Sequence, residues 1–415
     1  MVMARRPHRH LHHHTWPQRL IFGFNFVVAL GMLVGGGALV YANQRVTDRK
    51  VVSIAPTGEQ SSGSGALSDD ALDDIPEGDL SSKNFLITGR DNNECVDSNS
   101  RYGKTVEGRT GYAGLTDTIM IIRVNPAENK AAVLSFPRDL YVKIAKSDSK
   151  NRINTAFRPN EPQRLVDTIM TNFGIGVDHY IAVDFCAFKT IVNAVGGVRI
   201  PFAYPARDKN TVFEVKKPGC AELDGDAALA YVRSRHYAYF DPDKNKWISD
   251  PSGDWGRIAR QQDFLRRVLR AALDKGVTNP AVANDLLGAA LDNVVTDDNL
   301  SPLNMLQLAR AMREVSEDDV RTYTVDGVMK RIAGQSVIEP TINNDTMKAI
   351  LGIFRGETTI GEGNKQLGQI DAAVGSSRGV RAADVTTTTV APESVNQTLS
   401  QQRFSVTPPD DPTCR

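Results

Sequence analysis

The feature that most constrains the fold is a set of short, almost uninterrupted apolar runs. Three of them lie at residues 84–89, 118–124 and 131–136, and the turn residues Asn125 and Pro126 join the last two. Runs of this kind are typical of β-strands that are covered on both faces, because a strand with one solvent-exposed face would alternate apolar and polar residues. These segments therefore predict a buried central sheet.

Helical patterns follow these strands along the chain. Pro162 opens an amphipathic segment that stops at Gly174, and Asp224 is placed to cap a later helix. Because helices alternate with strands, the chain predicts an α/β fold, namely a three-layer α/β/α sandwich with a mixed central sheet. The predicted helices are 162–173, 185–195, 224–232, 255–273 and 303–315, and the further predicted strands are 180–184, 198–202 and 320–325.

The N-terminal region has the composition of a membrane anchor. Residues 20–42 are apolar apart from Asn25, and about 20 such residues suffice to cross a bilayer. The preceding basic arm, residues 1–19, contains arginines but no acidic residue, so we expect it to stay in the cytoplasm and the rest of the chain to lie outside the cell. A cleaved signal peptide is the alternative. The long apolar run and the absence of a small-x-small cleavage pattern disfavour it.

Composition also divides the exported part of the chain. Residues 43–82 are rich in Ser, Gly and Asp, which predicts a flexible linker. Residues 83–356 are assigned to one folded domain, whose motif-bearing core covers 83–275. Residues 357–415 carry scattered polar residues and a proline-rich end, which predicts a disordered tail.

The overall charge and the cysteines exclude some classes of function. Lys plus Arg and Asp plus Glu number 49 each, whereas proteins that bind nucleic acids usually carry a basic excess. Anion binding must therefore come from a local cluster of arginines.

The cysteines at 95, 186, 220 and 414 form no CxxC-type zinc site, and an exported domain permits disulfides. The pairing of Cys95 with Cys220 is the first to test.

Polar residues stand where the apolar strands begin or end. Asp91 follows the first run, and Asp117 opens the second. Each of them on its own could simply be a turn or surface aspartate. If the fold brings them together, however, the two carboxylates offer the oxygen ligands that Mg²⁺ prefers beside substrate phosphates.

Arginines occupy similar positions. Arg138 follows the third run, and Arg233 and Arg235 would project the same way if their segment is extended. Arg257 and Gln261 are four residues apart near a helix start, so they share a helix face where backbone N–H groups favour an anion. Any one arginine could instead pair with a surface aspartate. Together they would form a set of guanidinium groups that can bind a pyrophosphate bidentately.

These motifs, in this order, resemble the LytR–CpsA–Psr family of cell-wall glycopolymer phosphotransferases, of the actinobacterial type. The resemblance covers about residues 83–273 and extends more weakly to about 356. The matching pieces are Gly89-Arg90-Asp91, Thr116-Asp117-Thr118-Ile119-Met120-Ile121, Ser135-Phe136-Pro137-Arg138-Asp139, Arg152-Ile153-Asn154, Asp178-His179-Tyr180, Val195-Gly196-Gly197-Val198, Leu223-Asp224-Gly225, Tyr231-Val232-Arg233-Ser234-Arg235 and Gly256-Arg257-Ile258-Ala259-Arg260-Gln261-Gln262.

The resemblance implies a role for each site residue. Asp91 and Asp117 would engage Mg²⁺, with Mn²⁺ as a substitute, and would form the catalytic set together with Arg138 and Arg257. The residues that would hold the phosphates and the head group are Arg152, Arg233, Arg235, Asp254 and Gln261. The resemblance also implies a tunnel for a lipid tail, with the helices at 162–173 and 185–195 as its walls.

The implied reaction moves a glycopolymer from a polyprenyl-pyrophosphate carrier to a sugar hydroxyl of peptidoglycan and releases polyprenyl phosphate. It would take place outside the cell, on a protein held in the cell membrane by a single helix. A pyrophosphohydrolase that uses the same site is one alternative, and a non-catalytic module that binds lipid or glycan is another. A transcription regulator is disfavoured by the predicted outward topology and by the absence of a DNA-binding motif.

Overall fold

A computed structural model describes residues 50–56, 81–90, 102, 116–276, 288, 294–312, 314–316, 319–377, 408, 411 and 414. The predicted arm 1–19, the predicted membrane segment 20–42 and most of the predicted linker lie outside these residues. The linker prediction is wrong for residues 50–56, because Val51 and Val52 pair with Thr296 and Asp297 in the central sheet and Ile54 is buried in the main core. Among the residues that are described, no helix combines the length and the apolar character needed to cross a bilayer.

The described strands and helices alternate along the chain. The helices are α1 (Gln163–Phe173), α2 (Phe185–Ala194), α3 (Gly225–Val232), α4 (Asp254–Gly276), α5 (Pro302–Ala311), α6 (Asp345–Arg355) and α7 (Ile360–Ser377). The strands are β1 (Val51–Val52), β2 (Lys83–Arg90), β3 (Thr116–Asn125), β4 (Lys130–Ser135), β5 (Tyr141–Lys143), β6 (Lys150–Arg152), β7 (His179–Asp184), β8 (Val198–Phe202), β9 (Ala206–Asp208), β10 (Phe213–Val215), β11 (Gly219–Leu223), β12 (Ala238–Asp241), β13 (Lys246–Ser249), β14 (Val294–Asp297), β15 (Val320–Thr324), β16 (Gly327–Ile332) and β17 (Gln335–Pro340).

A seven-stranded mixed sheet occupies the centre, in the order β1-β14-β7-β2-β3-β4-β15. Strand β3 is antiparallel to both β2 and β4, whereas β7 is parallel to β2 and β15 is parallel to β4. The prediction of a mixed central sheet is confirmed.

Alternate residues of the sheet bury into two separate cores. Ile119 and Ile121 of β3 belong to a cluster with α1, α6 and α7, while Met120 packs on the opposite face with residues of α4 and α5. Because successive strand residues point to opposite faces, helices cover both sides of the sheet. The described domain therefore has three layers.

Local sequence signals fix the ends of the helices that lead into the site. The carboxylate of Asp184 accepts a hydrogen bond of 2.8 Å from the Ala187 amide, and Asp224 does the same for Ala227. Such N-caps satisfy amide groups that have no partner within the helix. Helix α1 ends at Gly174, whose φ of 67° lies in the left-handed region that glycine adopts readily.

A smaller antiparallel region lies beside the main sheet. It contains the antiparallel pair β8–β11 and a four-stranded sheet in the order β10-β9-β12-β13. Its core is formed with α3 and α4, through residues such as Ile200, Phe213, Tyr231 and Phe264. The two strands β12 and β13 connect the end of α3 to the start of α4.

Two predictions about the C-terminal region are wrong. Residues 360–377 form α7 rather than a disordered tail, and Ile360 and Leu367 are buried in the main core. This segment is rich in Gly, Ala and Ser, so its few large apolar residues did not give a clear helical periodicity in the sequence. Cys220 forms its disulfide with Cys414, at a Cα–Cα distance of 5.3 Å, and not with Cys95. Sequence alone does not determine the connectivity of four cysteines, because the geometry of pairing is set by the fold.

Candidate active site

The candidate site lies at one edge of the central sheet, where β3 begins and its two neighbours end. Because β3 is antiparallel to β2 and β4, its first residues lie beside the last residues of both strands. Arg90 pairs with Thr116, and Met120 pairs with Ser135. Asp117 is thereby placed next to the loop that follows β4.

Asp117 contacts two guanidinium groups that come from distant parts of the chain. Its Oδ1 accepts a hydrogen bond of 2.6 Å from Nη1 of Arg138, which lies in the loop after β4. Its Oδ2 is 3.0 Å from Nη2 of Arg235, which lies just after α3. One carboxylate thus holds two cations in one cluster.

The start of α4 adds a third guanidinium group and a second carboxylate. Asp254 Oδ1 is 3.1 Å from Nε of Arg235 and 2.9 Å from Nη2 of Arg257. The side chain of Arg257 is only 3% exposed, and its Nε makes no hydrogen bond with any residue that the structure describes. A buried cationic donor without a partner is costly, so it is available to an anionic ligand.

Positive charge prevails in this cluster. Burial would raise the pKa of Asp117, but the charges of Arg235, Arg257 and Arg138 hold it well below its usual value. Burial and the neighbouring Arg257 lower the pKa of the Arg235 guanidinium, although Asp117 and Asp254 oppose this. Three arginines face two carboxylates here, so the cluster has an excess of one positive charge and suits an anionic ligand such as a phosphate.

A buried network outside the cluster holds the backbone around Arg235. The Asp208 carboxylate accepts hydrogen bonds from the Ser234 hydroxyl at 2.6 Å and from the His236 amide at 2.8 Å. Arg260, which is 1% exposed, donates to the Ser234 carbonyl at 2.8 Å. Both neighbours of Arg235 are therefore fixed. Sequence reasoning assigned no role to Asp208 or Arg260; the only signal was that Arg260 lies one helical turn after Arg257.

Asp139 and Arg152 form a flank of the cluster. Asp139 Oδ2 is 3.5 Å from Nε of Arg138, and its Oδ1 is 3.3 Å from Nε of Arg152. Arg152 also donates to the carbonyl of Ser336 in β17. The predicted site residue Arg152 therefore contacts the cluster only through Asp139.

Arg233 lies elsewhere than the sequence suggested. It is the C-cap of α3 with a helical backbone, so the segment is not extended and Arg233 does not project alongside Arg235. Its guanidinium carbon lies 4.7 Å from the centroid of the Phe185 ring, and it lines a cavity together with Arg90.

This cavity is apolar and has a volume of about 240 Å³. It lies between the main sheet and helices α2, α3 and α4. Gln261 joins it to the arginine cluster, because Gln261 lines the cavity and donates to Thr118 Oγ1 at 3.2 Å, next to Asp117. The apolar lining consists of Ile87, Met120, Val183, Phe185, Phe188, Ile191, Val192, Leu229, Val232, Phe264, Leu265 and Val268.

The prediction of the cavity walls is half right. Helix α2 supplies Phe185, Phe188, Ile191 and Val192 as expected. Helix α1 supplies nothing, because it packs on the opposite face of the sheet and its apolar side chains fill the main core. The second wall comes instead from α4, through Phe264, Leu265 and Val268.

Of the acidic pair predicted to bind Mg²⁺ or Mn²⁺, only Asp117 is located by the structure, because Asp91 lies outside the described residues. Asp117 has the chemistry of a ligand, since it is an ionised oxygen donor. Both of its oxygens already contact arginines, so a cation would have to share them with the guanidinium groups. Among the described residues, no three His, Cys, Asp or Glu side chains lie together in a group that could hold a metal ion.

The α/β sandwich, the arginine-rich phosphate-type site and the adjoining apolar cavity define a domain suited to an amphiphilic phosphate ligand. The sequence profile of the LytR_cpsA_psr family matches residues 50–351. The chain therefore belongs to the LytR–CpsA–Psr family.

Several curated proteins are similar in sequence. The probable cell wall biosynthesis protein LcpB of Corynebacterium glutamicum is 30% identical over 55% of this chain and 52% of its own length. The polyisoprenyl-teichoic acid–peptidoglycan teichoic acid transferase TagV of Bacillus subtilis is 29% identical over 52% of this chain and 53% of its own. The corresponding transferase TagU of Enterococcus faecalis is 28% identical over 52% and 67%. The chain thus spans about half the length of LcpB and TagV.

Solved structures share the fold. The crystal structure of B. subtilis TagV superposes with a TM-score of 0.52 at 23% identity, over 67% of this chain and 98% of that one. A LytR-Csp2A-Psr enzyme from Actinomyces oris gives a TM-score of 0.52 at 20% identity, over 74% and 96%. These likenesses support the same α/β architecture.

Proposed function

We propose that this protein is a phosphotransferase that moves a glycopolymer from a polyprenyl-diphosphate carrier to a sugar hydroxyl of peptidoglycan. One observation carries the proposal: a cluster of three guanidinium groups lies beside an apolar cavity whose lining includes Thr118, the neighbour of Asp117, and Gln261, one helical turn after Arg257. A diphosphate joined to a hydrocarbon chain has this combination of charge and apolar length. The names of the related transferases agree with such a substrate.

The contacts of the cluster suggest how the diphosphate is bound. Arg138 and Arg235 are held by Asp117, and Arg257 is held by Asp254, so their guanidinium groups are oriented before a ligand arrives. Preorganised donors of this kind stabilise charge that develops on phosphoryl oxygens without rearrangement at the moment of reaction. The prenyl chain would extend past Gln261 into the cavity, where the walls exclude water.

The chemistry would be transfer of the phosphoryl group that carries the glycan. The acceptor hydroxyl attacks that phosphorus, the bond to the bridging oxygen breaks, and polyprenyl phosphate leaves with the electron pair. Arg138, Arg235 and Arg257 neutralise charge on the phosphoryl and leaving oxygens. Asp117 is a weak base, because its pKa is held low, so it orients arginines rather than removing the hydroxyl proton.

Asp117 and Asp91 would hold Mg²⁺, or Mn²⁺ in its place, beside the diphosphate. When bound there, the ion would neutralise part of the negative charge of the phosphates. Asp91 is also the candidate acceptor for the proton of the attacking hydroxyl. Removal of divalent cations with a chelator should abolish transfer. Full transfer activity in the presence of the chelator would contradict this assignment.

We also propose that residues 20–42 anchor the protein in the cell membrane, with residues 1–19 in the cytoplasm and the domain outside. The apolar stretch and its basic flank support this topology. A reporter enzyme that is active only outside the cytoplasm should be active when it is fused after Gly65, whereas a reporter that is active only in the cytoplasm should be inactive there. A fusion that stays cytoplasmic would contradict the topology.

The transfer reaction is tested with the purified full-length protein, a lipid-linked glycopolymer and peptidoglycan strands. The proposal predicts a covalent conjugate and free polyprenyl phosphate, both lost in Arg138→Ala. Arg199→Ala is the matched control, because Arg199 is an exposed arginine paired with Glu222 at a distance from the cluster. Release of phosphorylated glycan without any conjugate would favour the hydrolase, which could use the same residues with water as the acceptor.

A further inference from the structure

The hairpin β12–β13, in the segment of chain between Arg235 and Asp254 of the arginine cluster, carries half-buried aromatic side chains. Phe240 and Trp247 are cross-strand partners, so their side chains share one face of the four-stranded sheet, and their ring centroids are 5.7 Å apart. Arg207 of β9 pairs with Ala238 and therefore points to the same face. All three side chains are half-buried. We call Arg207, Phe240 and Trp247 the aromatic platform.

The opposite face of this sheet is already used. Ala206, Phe213 and Val215 point into the smaller core beneath it. Aromatic side chains on the outer face therefore do not contribute to that core. Half-buried aromatic rings that pack no core are characteristic of binding surfaces.

Arg207 gives the aromatic platform polar donors as well as apolar rings. Its guanidinium carbon lies 3.8 Å from the centroid of the Trp247 ring, a stacked cation–π geometry that fixes both groups. Within the described part of the chain, no carboxylate forms an ion pair with Arg207. Its planar donors are thus oriented and remain available for hydroxyl or carboxylate oxygens of a ligand.

The covalent connections place this surface next to the proposed reaction centre. The hairpin starts shortly after Arg235 and ends shortly before Asp254, and these two residues are in contact at 3.1 Å. At most about 17 Å of extended chain separates Arg235 from Phe240. The buried pair of Arg260 and Asp250, at 3.0 Å, fixes the base of the hairpin. A ligand that lies along the hairpin can therefore reach the phosphate site.

We propose that the aromatic platform binds the acceptor glycan strand. Pyranose rings present apolar C–H faces that stack on aromatic rings, and their hydroxyl and carboxyl oxygens accept hydrogen bonds from a guanidinium group. The donor is already anchored by its diphosphate and its hydrocarbon chain. The acceptor has neither, so it needs a binding surface of its own. This inference rests on the proposed function, of which it specifies the acceptor side.

The test is a calorimetric titration of the full-length protein, in detergent, with soluble peptidoglycan glycan strands. Trp247→Ala should raise the Kd about tenfold, and Arg207→Ser should raise it by a smaller factor at an unchanged fold, judged by thermal unfolding. Tyr204→Ala is the matched control. Tyr204 is an aromatic residue of the same region that is 41% exposed, and its ring contacts that of Tyr239, whose side chain points to the other face. The Kd of the Tyr204→Ala variant for glycan strands should equal that of the wild type.

Two further measurements separate this inference from the proposed function. Binding of a prenyl diphosphate, measured by the same calorimetry without glycan strands, reports on the phosphate site alone, and its Kd should be the same for Trp247→Ala and the wild type. If the wild type binds no prenyl diphosphate, the proposed function fails. If the wild type does, two outcomes refute the aromatic platform alone. In the first, Trp247→Ala and Arg207→Ser bind glycan strands as tightly as the wild type does. In the second, neither the wild type nor any variant binds glycan strands. Preferential binding of a lipid-free teichoic acid, lost in Trp247→Ala, would also overturn the assignment to the acceptor.

Discussion

Replacement of Arg257 tests the arginine cluster at its most buried member. Nη2 of Arg257 is committed to Asp254, at 2.9 Å, whereas Nε is buried and makes no hydrogen bond with any described residue. We expect the free side of the guanidinium group to donate to the phosphoryl oxygens. Arg257→Ala should therefore remove charge-assisted hydrogen bonds that act most strongly in the transition state.

The magnitude follows from the number of donors that are lost. A hydrogen bond to a charged group contributes about 1.5–3 kcal/mol, and Arg257→Ala removes both the donor Nε and the positive charge of the guanidinium group. Because Asp254 keeps its contact with Arg235 at 3.1 Å, part of the cluster survives. A loss of about 3–4 kcal/mol in transition-state stabilisation corresponds to about 10²–10³ in kcat/KM. Arg257→Lys keeps the charge but loses the planar fork, so it should fall between the wild type and Arg257→Ala.

The assay measures formation of the glycan–peptidoglycan conjugate at several donor concentrations, with Arg199→Ala as the control. Thermal unfolding identifies any variant that lost its fold. Activity of folded Arg257→Ala within about threefold of the wild type, which corresponds to less than 1 kcal/mol, would refute the role of this residue.

Three further predictions concern charge, the cavity and the disulfide. Because the pKa of Asp117 is depressed in the folded state, its ionised form stabilises the fold at neutral pH. This advantage over Asp117→Asn should begin to shrink as the pH falls below about 4, the pKa in the unfolded chain, and should be lost only when the pH falls through the depressed folded-state pKa; a pH-independent difference in unfolding free energy would argue against it. Ile191→Trp should occlude the cavity of about 240 Å³, raising the KM at least tenfold for a long prenyl diphosphate but not for a short one; equal effects would contradict the lipid site. Cys220→Ser and Cys414→Ser should each lower the free energy of unfolding by about 2–4 kcal/mol, and the double variant should cost no more than either, whereas additive losses would exclude a shared bond.

The sequence was sufficient wherever local pattern determines structure. The continuous apolar runs became β2, β3 and β4, and the spacing of Arg257 and Gln261 placed both side chains on the face of α4 that reaches the site. The capping role of Asp224 was also confirmed. In each case, the relevant interaction lies within a few residues along the chain, so periodicity and capping chemistry are enough to predict it.

The sequence was insufficient where contacts join distant segments. Asp208 contacts Ser234 and His236 only after the antiparallel strands have paired. The residues next to Asp208 in the sequence therefore do not indicate that it fixes the backbone around Arg235. Arg233 was expected beside Arg235, but the last turn of α3 rotates it toward the cavity mouth. The choice of Cys414 as the partner of Cys220 likewise depends on where the chain end returns in the fold.

The central claim is that the arginine cluster binds the diphosphate while the adjoining cavity holds its hydrocarbon chain. A crystal structure of the domain with a polyprenyl diphosphate tests this most directly. The account predicts phosphate oxygens within hydrogen-bonding distance of Arg138, Arg235 and Arg257, and prenyl carbon atoms between α2 and α4. Electron density for the diphosphate at any other surface, or an empty cavity beside a bound head group, would contradict it.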